Sequence, residues 1–197
     1  MRVVGILLAA GRGTRFGGGK LLAPLPAASH GVGGGTPVGA AASLHLLAAV
    51  SEVIAVVRPG DALLRAALSA TGSRVIDCAD AHLGMGASLA CGVAATSDAD
   101  GWIVALADMP WIAPATIMAV GDALASGAEM AAPSYRGERG HPVGFAKTYA
   151  SLLGALTGDE GARAVVSARQ WALRVIEVDD AGVLRDVDRP ADLDGGR

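Results

Sequence analysis

The sequence predicts an α/β protein: a doubly wound, mostly parallel sheet with helices on both faces, in a single domain. Three observations predict it. Strand-type and helix-type segments alternate from residue 3 to residue 178, and alternation of this kind gives parallel strands joined by crossover helices. The strand segments are continuous apolar runs, the pattern of strands buried on both faces. The chain is 197 residues long and 52% hydrophobic, enough for one well-buried core, with no linker long enough to divide it.

Residues 3–10 form the first strand. Residues 11–20 then hold five glycines, two arginines and a lysine. Glycine lets a backbone turn tightly and approach a ligand closely. Successive exposed N–H groups make an anion-binding hollow, and Arg12, Arg15 and Lys20 supply the charge. A triphosphate is the natural guest. The alternative is a flexible surface loop, but three cations so close together, directly after a strand, favour phosphate. Residues 21–38 have loop chemistry, with Pro24, Pro26 and Pro37. Gly33-Gly34-Gly35 marks a mobile tip, and Ser29, His30 and Thr36 carry nothing specific. Residues 39–50 are rich in alanine and leucine, a good helix, in which His45 reads as a packed residue rather than a ligand.

Residues 52–57 are a second strand, 59–71 a helix and 74–76 a third strand. Residues 82–93 open a helix on a glycine turn, with Gly86 and Ser88 in its first turn. Free N–H groups there can hold anions or ligand oxygens; equally, Ser88 can be a plain N-cap. Residues 101–107 are the most hydrophobic strand, ended by Asp108-Met109-Pro110. A carboxylate at the mouth of a buried strand is placed to hold a metal. Residues 111–127 contain the next helix and 128–132 another strand. Residues 133–145 read as a strand, a polar excursion and a return strand. Residues 149–156 and 160–169 are helical, 173–178 a strand and 182–187 a last short strand, leading into Asp186-Val187-Asp188-Arg189-Pro190.

Several classes are excluded. The P-loop needs Ser or Thr after its lysine, and Lys20 is followed by Leu21. The dinucleotide fingerprint needs a third glycine where Phe16 stands, and an acid about 20 residues on; no acid precedes Glu52. A net charge of −3 gives no reason to expect nucleic acid. All 19 acids lie from Glu52 onward, so the N-terminal part suits an anionic ligand and the remainder can supply metal-binding carboxylates. Cys78 and Cys91 form no Cys-x-x-Cys pair and read as free thiols. Residues 3–10 mimic a signal peptide only faintly, because the apolar core is short and arginines follow at once. No run is long and apolar enough to span a bilayer. The expected location is the cytoplasm, with no membrane partner.

In open α/β sheets, ligands bind at the carboxyl ends of strands where strand order reverses. With the order 3-2-1-4, that point lies between strands one and four. The glycine-rich loop and Asp108 therefore converge on one crevice and describe a metal–triphosphate site.

The spelling Leu-Ala-Ala-Gly-x-Gly-x-Arg-x-Gly-x-x-Lys, residues 8–20, resembles the signature loop of nucleotidyltransferases of the molybdenum cofactor and sugar-1-phosphate type. Gly84-Met85-Gly86-Ala87-Ser88-Leu89, Leu106-Ala107-Asp108-Met109-Pro110, Arg139-Gly140-His141-Pro142-Val143 and Asp186-Val187-Asp188-Arg189-Pro190 stand in the order of the molybdenum cofactor cytidylyltransferase (MobA-like) group. The similarity covers almost the whole chain. It implies a Rossmann-like nucleotidyltransferase fold of the glycosyltransferase-A type. It implies that Leu8, Ala9, Ala10, Gly11, Arg12, Gly13, Arg15 and Lys20 bind the triphosphate and that Gly86 and Ser88 lie near base or ribose. Asp108 would bind Mg²⁺, and the Arg139-Gly140-His141-Pro142 segment would face the acceptor. Residues 1–110 would be the nucleotide part and 111–197 the acceptor part.

Transfer of a nucleoside monophosphate needs an acceptor oxygen in line with the α-phosphorus and neutralised phosphate charge. Mg²⁺ suits this, taking one or two carboxylates plus phosphate oxygens. Asp108 is the first ligand. The second comes from Asp186 or Asp188, with Asp188 assigned; Asp188 could instead cap the short helix beginning near Pro190. Arg15, Lys20 and Asp108 are the expected catalytic residues. Within the resembled group, Ala10 leans toward CTP, whereas glycine there resembles guanylyl (GTP) enzymes. Phe16 replaces a usual methionine, and the lengthened residues 27–35 bear on acceptor preference. His141 titrates near neutrality and could act as a base, but phosphate acceptors are already anionic. A binding role is favoured, with a structural histidine before Pro142 as the alternative. The expected partners are CTP and a molybdopterin-type acceptor, with a molybdoenzyme receiving the product. The rivals are sugar-1-phosphate or methylerythritol-phosphate nucleotidyl transfer, and a non-catalytic module that delivers cofactor.

Overall fold

The computed structural model describes residues 1–194. Its strands are β1 (Val3–Leu8), β2 (Val53–Val57), β3 (Arg74–Asp77), β4 (Gly101–Leu106), β5 (Met130–Tyr135), β6 (Glu138–Arg139), β7 (Val143–Ala146) and β8 (Leu173–Glu177). Its α-helices are α1 (Val38–Leu47), α2 (Ala62–Ser69), α3 (Met85–Ala94), α4 (Pro114–Ala125), α5 (Ala150–Gly154) and α6 (Arg163–Ala168). The strands form one sheet in the order β3-β2-β1-β4-β7-β5-β6, with β8 also paired to β5. β1, β2, β3 and β4 run parallel, as do β5 and β8. β7 runs antiparallel between β4 and β5. It is the return strand expected after the polar excursion, since a short connection can bring the chain back only antiparallel.

Side chains alternate across the central strands into two cores. From β1, β2 and β4, Leu7, Val53, Ala55, Ile103 and Ala105 pack under α1, α2 and α4, beside Leu46, Leu68 and Leu124. Val4, Ile6, Ile54, Val56, Trp102 and Val104 face the other side, beside Leu89 of α3, Leu153 of α5 and Val166 of α6. This explains the continuous apolar runs, since both faces of each strand are covered. Each fully buried Leu, Ile or Val contributes about 1.5–3 kcal/mol. Trp102 is wholly buried, and its indole N–H donates to the Thr96 hydroxyl at 2.9 Å. A Cβ on Gly92 would lie 2.7 Å from Ile6 Cγ2, so glycine there lets α3 settle closely on β1.

Two segments depart from the sequence expectation. Residues 182–187 do not form a strand; the chain makes a 3-10 turn at Ala181–Leu184. The cause is Asp180, whose carboxylate accepts from Gly182 N (2.9 Å), Ala113 N (2.9 Å) and the Thr116 hydroxyl (2.7 Å). The glycine-rich stretch expected to end in a mobile tip is a folded excursion. Leu25 N–H donates to Thr36 O at 2.9 Å, and Ser29 and Val32 exchange two bonds of 2.8 Å. His30 Nε2 reaches Trp111 O at 3.1 Å and His45 Nε2 reaches Ser29 O at 3.0 Å. His45 is a buried, packed helix residue, as expected. Cys78 and Cys91 are both free thiols. No helix among the described residues is long and apolar enough to cross a membrane.

Leu8 at the end of β1 pairs with Leu106 at the end of β4. The segments leaving these two strands therefore start side by side, at the point where strand order reverses.

Candidate active site

The loop after β1 coils at Thr14–Phe16 and again at Lys20–Leu22. Gly13 has φ +57° and a Cβ there would sit 3.2 Å from Lys20 Cβ, so this tight fold needs glycine. It brings Lys20 Nζ to 2.7 Å from Asp108 Oδ2, just after β4. The C-terminal segment joins them because Val187 N–H donates to Asp108 O at 2.8 Å. Lys20 Nζ then lies 3.5 Å from Asp188 Oδ1, and Arg15 Nη1 lies 2.6 Å from Asp188 Oδ2. Lys20 is nearly enclosed, with a side chain 12% exposed, whereas Arg15 is 72% exposed. The capping alternative for Asp188 is filled by another residue: Asp192 accepts from the N–H groups of Asp188 and Arg189 at 2.8 and 2.7 Å.

Asp108, Asp186 and Asp188 each offer a carboxylate oxygen, and these oxygens lie within 4.8 Å of one another. Burial raises the Asp186 carboxyl above its ordinary range, and the charges of Asp108 and Asp188 raise it further. Asp188 is shifted the other way, chiefly by its hydrogen bond to Arg15. Three close carboxylates are a hard-oxygen donor set, the kind a divalent cation takes. Lys20 opposes the upward shift at Asp186, which burial dominates. The residues present therefore fit a divalent metal, held by Asp108 with Asp186 and Asp188.

Two cavities meet here. The first, about 460 Å³, runs from Ala10, Gly11, Arg12, Lys20 and Asp108 to Ala81, His82, Gly84, Met85 and Ser88 at the start of α3. The second, about 550 Å³, has an apolar lining from Leu89, Val104, Val143, Phe145 and Val166, with Arg139, His141 and Arg163 around it. Leu8, Met85, Leu106 and Asp159 line both. A smaller hollow of about 160 Å³ adjoins the loop, lined by Arg12, Gly13, Lys20 and Arg58 among others.

The residues singled out from sequence divide accordingly. Leu8, Ala10, Gly11, Arg12, Lys20, Ser88 and Asp108 line the first cavity. Gly13 lines the adjoining hollow. Arg15 reaches the site through Asp188. Ala9 is buried in the core beneath the loop and lines no cavity described above. Gly86 also faces away: its N–H donates to Gly158 O at 2.8 Å, and a Cβ there would lie 2.6 Å from Thr157 O. Ser88 does not cap α3. The N-cap is Gly84, and the Ser88 hydroxyl donates back to Gly84 O at 3.4 Å. Arg139 and His141 line the second cavity, and Pro142 is buried behind them. Burial lowers the His141 pKa, Arg139 lowers it further, and Asp108 opposes this. His141 Nδ1 is covered and has no partner among the described residues.

Met85 and Leu106 stand in motifs but were given no site role of their own, and His82, Asp159, Glu160 and Arg163 were not marked. Asp159, Glu160 and Arg163 line the cavities because residues 157–163 pack onto the start of α3, where Gly158 N–H donates to Leu83 O at 3.0 Å. The only sequence signal was the acidic pair Asp159-Glu160 set between Gly158 and Gly161.

A family model described as the MobA-like NTP transferase domain matches residues 5–174. Purine catabolism protein PucB of Bacillus subtilis is 32% identical over 98% of this chain and 94% of its own. Nicotine blue oxidoreductase of Paenarthrobacter nicotinovorans is 30% identical over 94% of this chain and 92% of its own. The crystal structure of Rv0371c from Mycobacterium tuberculosis superposes with a TM-score of 0.80 at 30% identity, covering 98% of this chain and 95% of that one. A manganese complex of the same mycobacterial protein gives 0.78 at 28% identity, with both chains covered completely. A loop of this spelling, a carboxylate cluster facing it and a match over most of the chain lead to one assignment: the chain belongs to the MobA-like NTP transferase family.

Proposed function

We propose that the chain is a Mg²⁺-dependent nucleotidyltransferase that moves a nucleoside monophosphate, CMP by preference, from its triphosphate to a phosphorylated acceptor of the molybdopterin type. The observation that carries this reading is the meeting of Lys20 with Asp108 at 2.7 Å, beside Asp186 and Asp188. It joins a cation-bearing glycine loop to a metal-type carboxylate set in one cleft. The manganese complex of the mycobacterial relative supports a divalent ion.

In this reading the first cavity takes the nucleotide, with the phosphates toward Gly11–Lys20 and the base and ribose toward Gly84 and Ser88. The second takes the acceptor, whose phosphate meets Arg139 and Arg163 while its body lies against Val143 and Phe145. Residues up to about 110 supply most of the nucleotide site, joined by Asp159 and by the carboxylates of Asp186 and Asp188. Acceptor recognition comes mainly from the remainder, with Leu89 and Val104 completing the acceptor wall. An acceptor phosphate oxygen attacks the α-phosphorus. The bond from that phosphorus to the bridging oxygen breaks, and pyrophosphate leaves with the electron pair. Lys20 and Arg15 neutralise charge on the α-phosphate and the departing group. The acceptor is already an anion, so His141, kept neutral by burial, binds rather than deprotonates it. Asp108, Asp186 and Asp188 would hold a magnesium ion, which when bound would add charge neutralisation on the phosphates.

The name of one relative assigns it to purine catabolism and that of another to nicotine blue oxidation and reduction. Phe16 stands at the third glycine position of the dinucleotide fingerprint in this chain. The deciding experiment measures pyrophosphate release with CTP, GTP, UTP and ATP against molybdenum cofactor, a sugar 1-phosphate and methylerythritol phosphate. Release with CTP and molybdenum cofactor, lost in Asp108→Ala, is the expected result. Release with a sugar phosphate alone would move the acceptor assignment. Tight nucleotide binding with no release for any pair would favour a non-catalytic delivery module.

A further inference from the structure

We propose that Lys20 and Arg15 act as place-holding cations on the carboxylate cluster, so that a divalent ion is disfavoured there until a triphosphate draws them away. Its nucleotide rests on the transferase reading, and the rest on the ion pairs of Lys20 and Arg15. Lys20 Nζ bridges Asp108 Oδ2 at 2.7 Å and Asp188 Oδ1 at 3.5 Å. Arg15 Nη1 takes the second Asp188 oxygen at 2.6 Å. These are two of the three carboxylates whose oxygens lie within 4.8 Å of one another.

A cation entering at Asp108 Oδ2 would meet the Lys20 ammonium within a few ångströms, where like charges repel strongly at the reduced dielectric of a protein cleft. A polyphosphate reverses this. Its negative charges attract both basic side chains and free the oxygens of Asp108 and Asp188, which with Asp186 would then hold a divalent ion. The loop is built to allow the exchange. Gly17, Gly18 and Gly19, directly before Lys20, have φ of +91°, +98° and +66°, with open space around each. Arg12 serves as an internal comparison. It lines the same cavity, yet no ion pair to it is found among the described residues. The consequence is reciprocal coupling: metal strengthens triphosphate binding, and triphosphate strengthens metal binding by the same factor.

The test is calorimetric titration of the full chain with Mn²⁺ alone, without nucleotide. Lys20→Met is expected to bind Mn²⁺ about tenfold more tightly than the unaltered chain, from removal of one nearby like charge. Lys20→Arg and Arg12→Gln are expected to match the unaltered chain. Arg15→Gln, a substitution at an exposed position, is expected to tighten binding about threefold and serves if Lys20→Met does not fold. With CTP present the order reverses, and Lys20→Met binds the metal–nucleotide pair more weakly. Equal or weaker Mn²⁺ binding by both Lys20→Met and Arg15→Gln would overturn the proposal. So would tightening by Lys20→Arg, which would trace the effect to lost packing. Tightened Mn²⁺ binding together with no transfer from any triphosphate would uphold the place-holding role while removing the transferase reading.

Discussion

The Lys20 ammonium stands 2.7 Å from a carboxylate oxygen of Asp108, across 88 residues of sequence. Each side chain leaves the carboxyl end of one of two neighbouring parallel strands, and nothing in either loop alone requires the other. Asp108→Ala is expected to lower transfer at least about 100-fold, the scale of losing one preorganised electrostatic group. It also leaves Lys20 enclosed without its nearer partner, which is expected to cost about 1–2 kcal/mol of stability. Pyrophosphate release and denaturant unfolding measure the two effects separately. Near-normal release would remove Asp108 from the chemistry.

The carboxylates of the cluster predict opposite pH effects. Asp186 holds its proton more tightly in the fold than in the unfolded chain. Stability therefore falls as pH rises from the ordinary carboxyl value of 3.8 to the raised one. Asp186→Asn is expected to raise the unfolding midpoint at neutral pH and to lose that advantage below the ordinary value. Asp188 releases its proton more readily in the fold. Its contribution is present above the ordinary value and disappears as pH falls through the lowered one. Asp188→Asn is expected to lower the midpoint at neutral pH. Unfolding curves across pH 2.5–7 test both signs, and parallel curves for the two variants would contradict them.

The acceptor cavity predicts a split in kinetic constants. His141→Gln, Arg139→Gln and Arg163→Gln are each expected to raise the KM for acceptor about tenfold, the scale of one lost charge-assisted or buried hydrogen bond. The KM for nucleotide is expected to stay within about twofold, since none of the three lines the first cavity. Because burial lowers the His141 pKa, the pH profile of the acceptor KM near 6.5 is expected to have the same shape in the unaltered chain and in His141→Gln. Both follow the acceptor phosphate's own titration at about pH 6. An inflection at or above 6.5 present only in the unaltered chain would contradict the lowered pKa.

Gly86 predicts a packing effect. A Cβ there would lie 2.6 Å from Thr157 O, a backbone atom. Gly86→Ala is expected to destabilise by about 1–3 kcal/mol, the usual cost of overpacking. It is also expected to raise the acceptor KM, because residues 157–163 would be pushed from α3. Unfolding and kinetics on the same preparation test the link; a destabilised variant with normal acceptor KM would separate the two.

Much of this protein follows from local patterns. The continuous apolar runs of β1, β2 and β4 called for strands covered on both faces, and two cores cover them. The glycines and cations of residues 11–20 called for an anion loop, and Asp108 ended its strand where a metal ligand was expected. Those readings needed only a strand's periodicity and glycine's backbone freedom. Other features were settled by contacts between distant segments. Asp180 reaches Ala113 and Thr116 and turns residues 182–187 away from a strand. Asp192, rather than Asp188, caps the last turn. Gly86 serves packing, and the 157–163 segment supplies cavity walls that no motif marked. Composition and spacing act along the chain, whereas ion pairs and close approaches depend on which residues the sheet brings together. The pairing of Lys20 with Asp108 therefore became visible only once β1 and β4 lay side by side.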